Sequence, residues 1–122
     1  MITTLIFLLF LLQIKHWYID FVNQSMDEVN SKGVYGEWPG IQHSLKHGVG
    51  TALCICIVVG GYYIPFAVLL GIVDSIIHYH VDWAKMNYGN RDIRTPQFWN
   101  HLGLDQMAHQ LTYLILVWMV MA

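Results

Sequence analysis

The chain has 122 residues, a length that normally makes one domain. Hydrophobic residues are 56% of it and charged residues 11%, against roughly a quarter charged in soluble domains. This composition excludes an ordinary soluble fold and points to a single integral membrane domain covering residues 1–122. The net charge of −2 says little in itself, and no nucleic-acid partner is expected.

Met1–Leu12 is almost wholly apolar, but it lacks a basic start and no small-residue cleavage site follows it. It reads as the beginning of a first membrane helix over about residues 2–24, carrying Gln13, His16 and Asp20 within its span. Asn23–Gly40 is polar and turn-rich, with Ser25 and Glu28 spaced as a capping box for a short surface helix. A second long helix is predicted over about 41–59, ended by Gly60 and Gly61. Pro65 opens a third, over about 64–86, on which Asp74, His78 and Asp82 recur at one-turn intervals. Asn87–Arg94 is a polar loop, and Thr95-Pro96 starts a fourth helix over about 96–121. Cys54 and Cys56 are two apart, which suits no disulfide and no thiolate ligand.

The expected fold is all-α: a four-helix transmembrane bundle, up-down and antiparallel. All six Lys and Arg residues fall at one set of helix ends, and the positive-inside rule places those ends in the cytoplasm. Both termini are then non-cytoplasmic, in a multi-pass protein of a bacterial inner or host cell membrane. Trp17, Trp38, Trp83 and Trp99 form the cytoplasmic aromatic belt, and Tyr62, Tyr63 and Trp118 the opposite one.

Four polar pairs at i, i+4 interrupt the apolar helices: His16 with Asp20, His43 with His47, His78 with Asp82, and Asp105 with His109. Members of such a pair share a helix face, and ionisable groups in hydrocarbon need partners. Antiparallel helices put all four pairs at one depth near the cytoplasmic surface. Helical rise then sorts His16, His47, His78 and His109 into a deeper layer, and Asp20, His43, Asp82 and Asp105 into a shallower one. A shift of 62 residues superposes His16 on His78, Asp20 on Asp82, His43 on Asp105 and His47 on His109, as a duplicated hairpin with a pseudo-twofold axis would.

Imidazole with carboxylate suits a divalent metal, zinc first, with manganese or iron as alternatives. Eight donors exceed one tetrahedral shell, so two metals, or one metal with supporting groups, are expected. Asp74 and His101 extend the polar columns as such supporting groups. Lys85 lies at the mouth, where it could bind a phosphate, and Gln13, Gln106 and Thr112 read as helix-packing hydrogen bonds. His80 is off the polar face and interfacial.

His16 with Asp20 and Phe21, His43 to His47, His78 to Asp82 with Lys85, and Asp105-Gln106 with His109 resemble the domain-of-unknown-function 3307 family. Its members are small multi-pass membrane proteins of bacteria and tailed phages. The resemblance covers most of the chain, which departs from it in the longer, glycine-containing Asn23–Gly40 loop. More distantly the pattern is similar to LexA-regulated membrane-bound metal-dependent hydrolases. That similarity implies a hydrolase acting on a lipid or lipid-linked phosphate. In that scheme Asp20, Asp82 and Asp105 supply ligands or a general base, and Lys85 or Lys46 stabilises developing negative charge. The rival expectations are a non-enzymatic membrane interaction protein with a structural His/Asp centre, and a metal-ion or proton transporter.

Overall fold

The computed structural model describes residues 1–122 as five α-helices without strands. These are α1 (Ile2–Trp17), α2 (Met26–Ser31), α3 (Trp38–Val59), α4 (Ile64–Tyr88) and α5 (Pro96–Met121). Helix α1 does not run on regularly into residue 24. It widens into a π turn over Tyr18–Val22, closed where Asn23 N–H donates to the Tyr18 carbonyl at 2.7 Å. Trp38-Pro39-Gly40 does not end the preceding loop but begins α3, because proline needs no N–H partner in a first turn. Helix α4 continues two residues past the expected end, to Tyr88.

The local signals explain the remaining boundaries. In α2, Ser25 Oγ accepts from Glu28 N–H at 3.1 Å while the Glu28 carboxylate accepts from Ser25 N–H at 2.8 Å. Gly60 takes φ +83° at the end of α3, a conformation that costs glycine nothing. Thr95 caps α5 through Phe98 N–H.

Helices α1, α3, α4 and α5 close into a ring, with α1 and α4 each packed on α3 and α5. The tightest pair is α3–α4. There a Cβ added to Gly48 would overlap Ser75 Oγ and the Gly71 carbonyl, and one added to Gly71 would overlap the Gly48 carbonyl. Such backbone contact is how small residues bring apolar helices together.

Two segments, Ile2–Val22 and Gly61–Tyr88, are long and apolar enough to cross a membrane. Helices α3 and α5 match them in length, with 22 and 26 residues. Gln42, His43, Ser44, Lys46 and His47 dilute the hydropathy of α3, and His101, Asp105, Gln106, His109 and Gln110 that of α5. Four spans, expected from sequence, are therefore not reached on composition.

The interior divides sharply along the helix axes. In the half nearest the α3–α4 turn, Leu8, Leu12, Ile55, Ala67, Leu70 and Leu116 form a fully buried apolar core. The other half buries polar and charged side chains from every long helix. Large apolar side chains such as Phe10, Leu53, Ile72 and Leu111 face outward.

Candidate metal centre

The four polar pairs converge. Because α1 and α4 approach the centre by their C-terminal ends and α3 and α5 by their N-terminal ends, equal helical rise brings all eight side chains to one level. His43, His47 and His78 have no exposed surface, and His16, Asp20, Asp82, Asp105 and His109 are buried. The His47 and His78 rings stack at 3.6 Å between centroids, and His78 and His109 at 4.0 Å.

Asp20 lies at the middle of the densest cluster. Its Oδ1 is 2.9 Å from His43 Nε2, 2.8 Å from His47 Nε2 and 3.4 Å from His78 Nε2, and its Oδ2 is 3.3 Å from His16 Nε2. His43 Nε2 and His78 Nε2 themselves face each other at 3.3 Å. Two ring nitrogens at that distance need a proton or a cation between them. Ligand atoms of His16, Asp20, His47 and His78 all lie within 4.8 Å of one another. So do those of His43, His78 and Asp82, and those of Asp82, Asp105 and His109.

The expected pseudo-twofold axis has a counterpart in these contacts. Asp20 touches His16 on its own helix and His47 on the next, while Asp82 touches His78 on its own helix and His109 on the next at 3.3 Å. The halves differ where His43 in one corresponds to Asp105 in the other. Asp82 Oδ1, Asp105 Oδ1 and His109 Nε2 crowd together at 3.3–3.5 Å without making a well-formed hydrogen bond. Buried polar atoms are nearly always well satisfied, so these loosely paired nitrogen and oxygen donors fit a cation held between them.

The lysines distribute charge in a way the sequence did not disclose. Five carboxylates are buried: Asp20, Glu28, Asp74, Asp82 and Asp105. Lys15 pairs with Asp74 at 3.1 Å, Lys32 with Asp82 at 3.1 Å, Lys85 with Asp105 at 3.2 Å, and Lys46 with Glu28. Asp20 alone has no lysine and is surrounded by imidazoles instead.

Three expectations change as a result. Lys15 is not an interfacial charge at the helix ends. Its ammonium is buried against Asp74, the Tyr113 hydroxyl at 3.1 Å and His47 Nδ1 at 3.2 Å, while Thr51 Oγ1 donates to Asp74 at 2.6 Å. Lys46 does not face the cluster, because Glu28 and the Asn23 side chain hold it at the surface of α2. His101 does not support a ligand; its Nδ1 accepts from Asn90 N–H and orders the α4–α5 loop.

The other expected polar residues are placed as follows. Asp74 supports the centre through Lys15, and His80 lies outside it, 3.0 Å from the Tyr35 hydroxyl. Gln106 bridges helices, with its Oε1 2.8 Å from His16 Nε2 and its Nε2 donating to Asp105 at 3.1 Å. Thr112, expected to bond between helices, bonds instead within its own, to the Ala108 carbonyl. Tyr113 was missed: its hydroxyl lies 2.8 Å from His16 Nδ1, fixing that ring from below. Glu28 was missed as well. Burial opposes its ionisation, but Lys46 and the Ser25 N–H together hold the carboxyl below the usual glutamate range.

A family model described as "Protein of unknown function (DUF3307)" matches residues 6–122, nearly the whole chain. No curated protein and no solved structure matches it, and the distant similarity to membrane hydrolases gains no support from these comparisons. The residues that carried the closer resemblance, His16–Phe21, His43–His47, His78–Lys85 and Asp105–His109, all lie within the matched span, and the chain belongs to the DUF3307 family.

Proposed function

We propose that this chain is a four-span membrane protein that holds a divalent metal at its His/Asp centre and uses it to hydrolyse a lipid or lipid-linked phosphate. The observation that carries the metal reading is Asp20. It is the one buried carboxylate without a lysine, and four imidazole nitrogens lie within 3.4 Å of its oxygens. A cation there completes the pairing of buried charge that the lysines make elsewhere. His16, Asp20, His47 and His78 would hold it, with His43 adjacent. Three or more imidazoles with one carboxylate suit zinc, and manganese or iron remain open to assay. Asp82, Asp105 and His109 form a second donor set for a second ion or for a general base.

Bound there, the metal would polarise a phosphoryl oxygen and lower the pKa of a water. The chain's own groups divide the remaining work. Lys15 and Tyr113 fix the His47 and His16 rings from below, and Lys85 at the mouth meets negative charge.

The four-span reading rests on inside-out composition: on all four long helices polar groups face inward while large apolar groups face outward. The Lys- and Arg-bearing loops then lie in the cytoplasm and both termini opposite. The fully apolar half argues against a transport path.

The test is metal analysis of protein purified in detergent and loaded separately with zinc, manganese and iron(II). One tightly held equivalent or more is expected, lost in Asp20→Asn and His78→Ala. Absence of stoichiometric metal after loading refutes the reading and leaves a structural polar centre in a non-enzymatic interaction protein.

A further inference from the structure

The Proposed function leaves open how a phosphate reaches the centre, and one cavity bears on this. Between the outer faces of α4 and α5 lies an open cleft of about 440 Å³. At the loop end its lining includes Lys85 and His101; towards the middle of the bundle it is walled by Val81, Ala84, Leu104 and Ala108. Val81 and Ala108 each immediately precede a member of the centre, Asp82 and His109.

Two donors mark the polar end. The Lys85 side chain is three-quarters buried and its ammonium sits on Asp105 Oδ2 at 3.2 Å, so it belongs to both the cleft and the centre. His101 accepts a backbone N–H at Nδ1, which puts the proton of the neutral ring on Nε2 and makes that atom a donor. The cleft is thus donor-rich at the interface level and apolar below it. A phospholipid has the same polarity order, an anionic headgroup above an acyl chain.

We propose that the α4–α5 cleft binds a lipid phosphate monoester from the side, with Lys85 and His101 on the phosphate and the acyl chain along Val81, Ala84, Leu104 and Ala108. Asp105 also lines the cleft, and its carboxylate competes with an anion for the Lys85 ammonium unless a second cation takes up that carboxylate. The inference therefore rests on the metal reading, and binding should depend on the metal.

The experiment uses the full chain in phosphatidylcholine nanodiscs containing a minor fraction of phosphatidic acid, with retained lipid read by native mass spectrometry. Metal-loaded protein should retain phosphatidic acid over phosphatidylcholine by about tenfold, the worth of one charge-assisted hydrogen bond. Lys85→Met should abolish that preference. Leu104→Trp, at a half-exposed position, should block the cleft while leaving metal content and thermal stability unchanged. A protein that holds metal but shows no preference overturns the inference and leaves the Proposed function standing. Preference that survives complete chelation, and is lost in Lys85→Met, overturns the metal dependence and tells against the metal reading. Unchanged preference in Leu104→Trp, or displacement by glycerol 3-phosphate as effectively as by lipid, overturns the lipid assignment.

Discussion

Lys15→Met removes the ammonium from the interior while keeping an unbranched apolar stem, and its cost can be worked from the contacts it leaves. Asp74 is 1% exposed and would keep only the Thr51 hydroxyl. An uncompensated buried charge of this kind costs about 3–5 kcal/mol. Tyr113 and His47 would each also lose a neighbour at 3.1–3.2 Å. Asp74→Asn in the same background removes the orphaned charge, and most of the loss should return, leaving a deficit of about 1–2 kcal/mol for the remaining hydrogen bonds. The assay is a double-mutant cycle on equilibrium unfolding in detergent, with Lys15→Met, Asp74→Asn and the double variant measured together. The double variant should thus regain about 2–3 kcal/mol relative to Lys15→Met. Independent effects that simply add, or a Lys15→Met variant as stable as the parent, would refute the view that Lys15 is an interior counter-charge.

Gly50 gives the Lys15 stem its path, since a Cβ there would stand 2.7 Å from Lys15 Cγ; Gly50→Val should therefore lower the melting temperature in parallel with Lys15→Met and add little to it. Gly48→Val pushes α3 off α4 and should cost about 3 kcal/mol or more by overpacking, read as loss of the folded fraction at fixed denaturant. Ser25→Ala breaks the capping box of α2 and should cost about 1 kcal/mol. The Glu28 carboxyl is depressed in the folded state, so its contribution is complete above the unfolded value of about 4.3 and fades as the pH falls below it. Stability of Glu28→Gln against the parent, measured from neutral to acid pH, should show a deficit that closes on acidification. A deficit constant across that range would sink the pairing with Lys46.

How far the sequence revealed this arrangement depended on the rigidity of each part. Helical rise is fixed, so residue number along antiparallel helices was enough to place His16, His47, His78 and His109 together. Lysine has a long flexible stem, so Lys15 and Lys32 could not be placed by position. The first reaches inward past Gly50, and the second arrives from the end of α2 to meet Asp82. The π turn that carries Asp20 has no residue signature, and a regular helix was the natural expectation there. Tyr113 reads as one more aromatic in an apolar tail until its hydroxyl is seen under His16. The equality of buried carboxylates and lysines, Asp20 excepted, needed the folded contacts but could have been sought as a count.

The apolar half of the interior has an electrical consequence. If the four long helices cross a bilayer as proposed, Leu8, Leu12, Ile55, Leu70 and Leu116 would make an insulating floor beneath the polar half of the interior. A transmembrane voltage would then fall mainly across the poorly polarisable floor, and charges exchanging with the polar half would cross little of it. Occupancy of a centre so placed would follow the composition of the solution and leaflet beside it, and be nearly indifferent to the voltage of the cell.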